Sequence, residues 1–126
     1  MNIYTKPQMS LDYIILKNGV TVKVGTCLKM GDGGLVLCTA KEKPEFISHT
    51  DATGEGKIIP VERITDETVL VGKLSTEAAE ISVGQKLQLA ENGIDISPAV
   101  GGALCVRSFD GTGAGAEVLC TVCNAE

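Results

Sequence analysis

The fold is decided by one stretch of the chain and by its counterpart further on. The first copy reads Gly25-Thr-Cys-Leu-Lys-Met-Gly-Asp-Gly-Gly-Leu-Val-Leu-Cys-Thr-Ala40. The second copy reads Gly84-Gln-Lys-Leu-Gln-Leu-Ala-Glu-Asn-Gly-Ile-Asp-Ile-Ser-Pro-Ala99. The two stretches share glycines and alternating apolar residues at a single offset, 84 − 25 = 59. A repeat of this length indicates two copies of one small structural unit.

The same offset holds without a gap in two further segments. Asp51, Thr53, Gly54 and Gly56 fall on Asp110, Thr112, Gly113 and Gly115, and Val22 and Val24 fall on Ile81 and Val83. One offset across three separate segments predicts a tandem duplication, with repeat 1 at about residues 5–63 and repeat 2 at about residues 64–122. The 126 residues suit a single domain, residues 1–126, that contains both copies.

Each copy is expected to consist of short strands. Residues 20–24 alternate valine with polar residues, which is the period of a half-buried strand. The Asp-Gly-Gly at 32–34 and the Glu-Asn-Gly at 91–93 predict tight hairpins, because these residue types tolerate a positive φ. A last strand is predicted at 118–122, with its valines and Cys120 on one face.

Helix is expected to be scarce. Residues 75–80 have an acidic start that suits one helical turn, but their counterpart is turn-like, so a loop is expected there. The fifteen glycines also favour turns over long helices. The fold class is therefore predicted to be all-β. We expect a small barrel or sandwich in which both halves share one core, because about 60 residues alone bury little surface.

Composition limits the functions that the chain can have. The net charge is −5, the pI is about 4.9 and the lysines are scattered, so nucleic-acid binding is disfavoured. No apolar run is long enough to span a membrane, and we recognise no signal peptide. A cytoplasmic location in the producing cell is expected.

The cysteines are the first candidates for chemistry. Cys120 and Cys123 have the spacing of redox and zinc sites. On a strand, however, residues i and i+3 point to opposite faces, so the two sulfurs are not expected to share a metal. The positions that match the five cysteines in the other copy are Lys86, Ser97, Phe46, Val61 and Ile64. We therefore interpret Cys27, Cys38, Cys105, Cys120 and Cys123 as small apolar residues with reduced thiols.

Three other motifs are given structural interpretations. The Gly-Thr-Gly-Ala-Gly loop at 111–115 resembles a phosphate-binding loop, but a strand follows it instead of a helix. His49 and nearby Asp51 suit a general base, but the matching position holds Ser108 and no nucleophile is recognisable. Lys29 resembles the lysine of biotinyl and lipoyl carrier domains, yet it precedes the hairpin tip. The sequence therefore predicts no catalytic, cofactor-binding or metal-binding residue.

One pattern of strands and turns runs through most of the chain. In copy one it comprises Val24-Gly25-Thr-Cys-Leu28, a Gly-Gly turn and an apolar strand that ends at Ala40. In copy two it comprises Val83-Gly84-Gln-Lys-Leu87, the turn at Asn92-Gly93, and then Ala103-Leu-Cys-Val-Arg-Ser-Phe-Asp-Gly-Thr-Gly-Ala-Gly-Ala-Glu-Val118. This order resembles the capsid decoration, or head-stabilisation, proteins of tailed bacteriophages and prophages.

The resemblance implies a β-barrel or β-tulip fold that forms a homotrimer and stabilises a capsid lattice. It implies the major capsid protein as partner, the virion surface as location, no cofactor and no enzymatic activity. Two alternatives stay open. One is a β module that binds a small molecule or carbohydrate, for which the chain offers only four aromatic side chains. The other is an enzyme component with thiol or metal chemistry at Cys120 and Cys123.

Overall fold

The computed structural model describes residues 1–6 and 11–123. In these ranges the chain forms strands, turns and loops and no helix, which confirms the predicted all-β class. The strands of the described ranges are β1 (Asn2–Thr5), β2 (Leu11–Ile15), β3 (Thr21–Val22), β4 (Cys27–Gly31), β5 (Gly34–Leu37), β6 (Phe46–Ser48), β7 (Ala52–Thr53), β8 (Ile58–Arg63), β9 (Val69–Lys73), β10 (Lys86–Leu89), β11 (Ile96–Val100), β12 (Leu104–Phe109) and β13 (Glu117–Val122).

The strands form three antiparallel sheets. A six-stranded sheet has the order β1-β9-β13-β12-β10-β11, a five-stranded sheet has the order β2-β8-β6-β4-β5, and β3 pairs with β7. Without β1, the two larger orders match strand for strand. For example, β8 and β13 hold the same place and begin 59 residues apart (117 − 58 = 59). This is the order that a duplication would produce; the duplication itself stays a prediction.

Both larger sheets curl strongly. An isolated parallel bridge links Leu16, just after β2, to Leu35 in β5, and another links Leu74, just after β9, to Ile96 in β11. The Lys17 N–H donates to the Leu35 carbonyl at 3.1 Å, and an equivalent bond follows Leu74. These contacts stop at one bridge per sheet, and no sheet of the described ranges closes into a barrel.

The apolar side chains form two clusters instead of the single shared core predicted from the sequence. The curl of the five-stranded sheet lets its concave side enclose a small cluster of its own, which consists of Leu16, Val22, Leu28, Leu35, Phe46, Ile59 and Val61. The larger cluster consists mainly of side chains from the six-stranded sheet. It also includes Cys27, Cys38 and Ile47, which lie on the other face of the five-stranded sheet. Those three residues are where the two sheets pack together.

The predicted hairpins are present, but the predicted strand at 20–24 is shorter than expected. β4 and β5 turn at Asp32 and Gly33, whereas the second hairpin uses the longer loop 90–95. Of residues 20–24, only those of β3 are in a strand. Val24 lies in an exposed turn because Gly25, at φ +90°, redirects the chain. Residues 75–80 form a loop, as expected.

The glycine loops of both copies are fixed by backbone contacts. Gly54 donates its N–H to the Val20 carbonyl at 2.8 Å, and a Cβ at Gly54 would lie only 2.0 Å from the carbonyl oxygen of Lys17. In the loop 111–115, the Thr112 carbonyl accepts the Ala78 N–H at 2.8 Å. A strand follows each loop and no helix does. The strand predicted after the loop 111–115 is therefore present, as β13.

Candidate functional site

An exposed apolar surface lies on one face of β2 and β8. Along β2 it contains Leu11, Tyr13 and Ile15, and on β8 Pro60 lies opposite Tyr13 and Ile58 opposite Ile15. The exposed fraction is 67% for Tyr13 and 65% for Ile58, although residues of these types are usually buried or half-buried. Opposite side chains on antiparallel strands contact each other. These five residues therefore form one continuous surface, which we call the β2–β8 strip.

The strip is exposed because β2 carries apolar residues on both faces and only its inner face packs against a cluster. Ile14 points to the other side of β2 and packs against the small cluster, next to its register partner Ile59. The same inner face carries Asp12, whose Oδ2 accepts a 3.0 Å bond from Arg63 Nε. Apolar residues on both faces are typical of a strand that is covered on both sides. Within the described ranges, the residues on the outer face of β2 are exposed.

The six-stranded sheet covers this outer face of the five-stranded sheet only as far as β8. Further across the sheet, Cys27 of β4 and Ile47 of β6 are buried in the larger cluster beneath the six-stranded sheet. At β8 the cover ends with Glu62, whose Oε2 lies 2.9 Å from Lys6 Nζ; the two side chains are only 4% and 6% exposed. Beyond this ion pair lies the β2–β8 strip.

Among the described strands, none pairs with the outer edge of β2. β2 is the outermost strand of its sheet. The Leu16 N–H, one residue past β2, donates to the Lys57 carbonyl at 2.8 Å, so the backbone groups of alternate residues point towards β8. By the same alternation, those of Leu11 and Tyr13 point away from the sheet. An edge strand with an apolar face is a ready template for pairing with another chain.

His49, which the sequence does not favour as a general base, lies beside Glu62 in the structure and not beside Asp51. His49 Nε2 lies 3.6 Å from Glu62 Oε1, whereas Asp51 accepts the Val24 N–H at 2.8 Å. Lys6 Nζ donates both to Glu62 and, at 2.9 Å, to the Arg63 carbonyl. Since Glu62 is held by a buried cation, this group links the end of β1 to β8. We interpret it as a structural clamp between the two larger sheets.

Burial decides the chemistry of the three inner thiols. Desolvation raises the pKa of Cys38 and of Cys120 to about 12, and it raises the pKa of the fully buried Cys27 still further. The thiolate is the nucleophile and the metal ligand, so thiols that stay protonated are inert. Cys120 lies in the larger cluster, whereas Cys123 Sγ donates to the Ala103 carbonyl at 3.4 Å beyond the end of β13. The two sulfurs therefore lie in different surroundings.

The remaining candidates are also placed by the structure. Lys29 lies within β4 and forms an ion pair with Glu42, away from the turn at Asp32 and Gly33. Within the ranges 1–6 and 11–123, no group of His, Cys, Asp and Glu side chains is arranged to hold a metal ion. The same ranges contain no helix of a length and hydrophobicity that would cross a membrane.

Sequence reasoning missed the β2–β8 strip and Lys6. The run Leu11-Asp-Tyr-Ile-Ile15 is the only local signal for the strip, and it predicts a strand without saying which face is covered. Comparison of the chain with known protein families and with curated proteins finds no match. The function must therefore be inferred from the surface and the interior of this chain itself.

Proposed function

We propose that the protein is a non-enzymatic structural protein that acts through oligomerisation and surface contacts. In this proposal it is a capsid decoration protein of a tailed phage or prophage, which forms a homotrimer and stabilises the capsid lattice. Its partner is then the major capsid protein and its final location is the virion surface.

The β2–β8 strip is the observation that carries this proposal. Five adjacent apolar side chains form a patch on the order of a few hundred Å², which is about the size of the largest apolar patch on a typical monomer, and such patches are often functional. Tyr13 supplies the large, rigid ring that dominates many protein interfaces. The outer edge of β2, which pairs with no described strand, adds backbone hydrogen-bonding groups to the same surface.

The interior supports a role without thiol chemistry. Cys27, Cys38 and Cys120 are fully buried, and desolvation raises the pKa of each thiol. A thiol of this kind contributes packing and not reactivity. The resemblance to decoration proteins then supplies the stoichiometry of three and the capsid as partner.

The interface is tested by Ile58→Glu, with Val83→Glu as the matched control. Both side chains are 65% exposed, but Val83 lies in a turn away from the strip. A buried, unpaired carboxylate is costly at an interface, so Ile58→Glu should dissociate the oligomer while Val83→Glu leaves it intact. Sedimentation velocity at micromolar concentration measures this. A wild-type monomer, or equal behaviour of the two variants, would overturn the proposed interface.

The capsid part of the proposal has a separate test. A gene for a portal protein, a head protease or a major capsid protein next to this gene is expected. A neighbourhood without any phage gene contradicts that part and leaves the interface test unaffected.

A further inference from the structure

A groove of about 300 Å³ lies on the outer face of the six-stranded sheet. Its floor is a row of register partners on adjacent strands: Val71 of β9, Leu119 of β13 and Ser108 of β12. These side chains point away from the larger cluster, because their strand neighbours Leu70 and Cys120 are buried in it. The groove is small enough that its occupant must be a small molecule or a single side chain.

Two aromatic rings line the groove. Tyr4 comes from β1 and is 62% exposed, whereas Phe109 is at the end of β12 and is partly buried against the larger cluster. The chain has only four aromatic residues, so this groove gathers half of them. Faces of aromatic rings attract cations through their quadrupole.

Two carboxylates complete the groove. Asp110 and Glu117 line it, and none of the lining residues in the described part of the chain is Lys, Arg or His. The Asp110 Oδ1 accepts the Glu117 N–H at 2.9 Å, and the Asp110 N–H donates to the Glu117 carbonyl at 3.1 Å, so the two residues are held together. Lys73 is the register partner of Glu117, yet in the described part of the chain the two form no ion pair. Among the described residues, Glu117 and Asp110 thus line the groove without an ion-pair partner.

We propose that this groove binds a small organic cation, namely a protonated primary amine on a short apolar stem. The ammonium group donates hydrogen bonds to the carboxylates of Asp110 and Glu117. The stem lies on Val71 and Leu119, beside the ring of Tyr4. Charge complementarity favours a cation over a neutral sugar, because both charged groups of the groove are negative. The groove shares no residue with the β2–β8 strip, so this inference does not depend on the proposed function.

The chain provides its own fluorescence probe for this site. It has two tyrosines and no tryptophan, so the Tyr13→Phe variant keeps Tyr4 as its only tyrosine. In this background, n-butylammonium chloride is titrated at constant ionic strength. n-Butanol is the neutral analogue of nearly the same shape, and methyl glucoside represents a sugar. We expect a saturable change in Tyr4 fluorescence with butylammonium, with a dissociation constant in the millimolar range, and none with butanol.

Charge-neutral substitutions identify the residues. Glu117→Gln and Asp110→Asn should each weaken butylammonium binding about tenfold or more. Asp110→Asn keeps an oxygen that accepts the Glu117 N–H, so the loop is preserved. Glu67→Gln makes the same charge change at an exposed turn outside the groove and should leave binding unaltered.

The amine could belong to a lysine side chain or to a free small molecule. A short peptide with a single lysine distinguishes the two. Binding of this peptide more than tenfold tighter than that of butylammonium assigns the groove to a lysine side chain, and equal or weaker binding assigns it to a free amine. The proposal is overturned by an equal response to butanol, by binding of methyl glucoside alone, by the absence of saturation, or by unchanged binding in both Glu117→Gln and Asp110→Asn.

Discussion

Raising the pH from 8 to 10 should destabilise the protein through its buried thiols. Desolvation raises the pKa of Cys38 and Cys120 from the ordinary 9.0 to about 12, and it raises the pKa of Cys27 as well. In the unfolded chain the same thiols ionise near pH 9. Below pH 9 the thiols are protonated in both states and do not change the free energy of unfolding with pH. As the pH rises from 9 towards 12, only the unfolded state releases the protons, so the free energy of unfolding falls.

The size of the effect follows from the pKa difference. Above pH 9, each buried thiol lowers the free energy of unfolding by about 1.4 kcal/mol for each pH unit. At pH 10 the loss is thus roughly 1 kcal/mol for each thiol and roughly 3–4 kcal/mol for three of them, which is a large part of the 5–15 kcal/mol that typical domains have. Urea unfolding followed by circular dichroism, at pH 8, 9 and 10 with a reductant, measures this loss.

Other groups also titrate in this range, so the test compares how steeply the free energy of unfolding falls with pH in different variants. Between pH 8 and 10, the free energy of unfolding of Cys120→Ala should fall by about 1 kcal/mol less than that of the wild type, whatever the stability of the variant at pH 8. Cys105→Ala is the matched control, because it removes a thiol from a partly exposed position. Identical pH slopes for wild type and Cys120→Ala would refute the conclusion that burial keeps this thiol protonated.

Two further predictions concern the contacts that hold the sheets. Gly54→Ala should lower the melting temperature by roughly 4–12 °C, since the new Cβ would meet the Lys17 carbonyl at 2.0 Å and overpacking costs about 1–3 kcal/mol. Gly113→Ala is its control, because nothing lies within 4 Å of a Cβ there, and equal shifts would contradict the reasoning. Lys6→Met or Glu62→Gln should each cost about 3 kcal/mol in urea unfolding, because each removes one charge of a buried ion pair and leaves the other uncompensated. The double variant Lys6→Met/Glu62→Gln should cost less than the sum of the two single variants, and strict additivity would refute the clamp.

Local chemistry accounts for the parts of the fold that the sequence predicts well. The first hairpin turns at Asp32 and Gly33 because Gly33, at φ +84°, needs a conformation that few residue types tolerate. The predicted inner face of β13 is buried, because Val118, Cys120 and Val122 alternate along the strand and so point to the same side. Both features depend on fewer than ten consecutive residues, so a single sequence contains the information.

The candidate surfaces depend on contacts that are distant in the chain. The β2–β8 strip is exposed because the six-stranded sheet stops covering its neighbour at Glu62, which is held by Lys6 from 56 positions earlier. The groove brings Tyr4 next to Phe109 through the pairing of β1 with β9, of β9 with β13 and of β13 with β12. No local pattern encodes either arrangement. Residues 7–10, which belong to the predicted repeat 1, and residues 124–126, which follow the predicted repeat 2, lie outside the described residues.

The mass of the wild-type protein in solution tests the central claim most directly. If the β2–β8 strip joins copies as proposed, light scattering during size-exclusion chromatography at micromolar concentration should give about three times 13.1 kDa. A single species of 13.1 kDa across this concentration range would contradict the claim that the protein works through its own assembly.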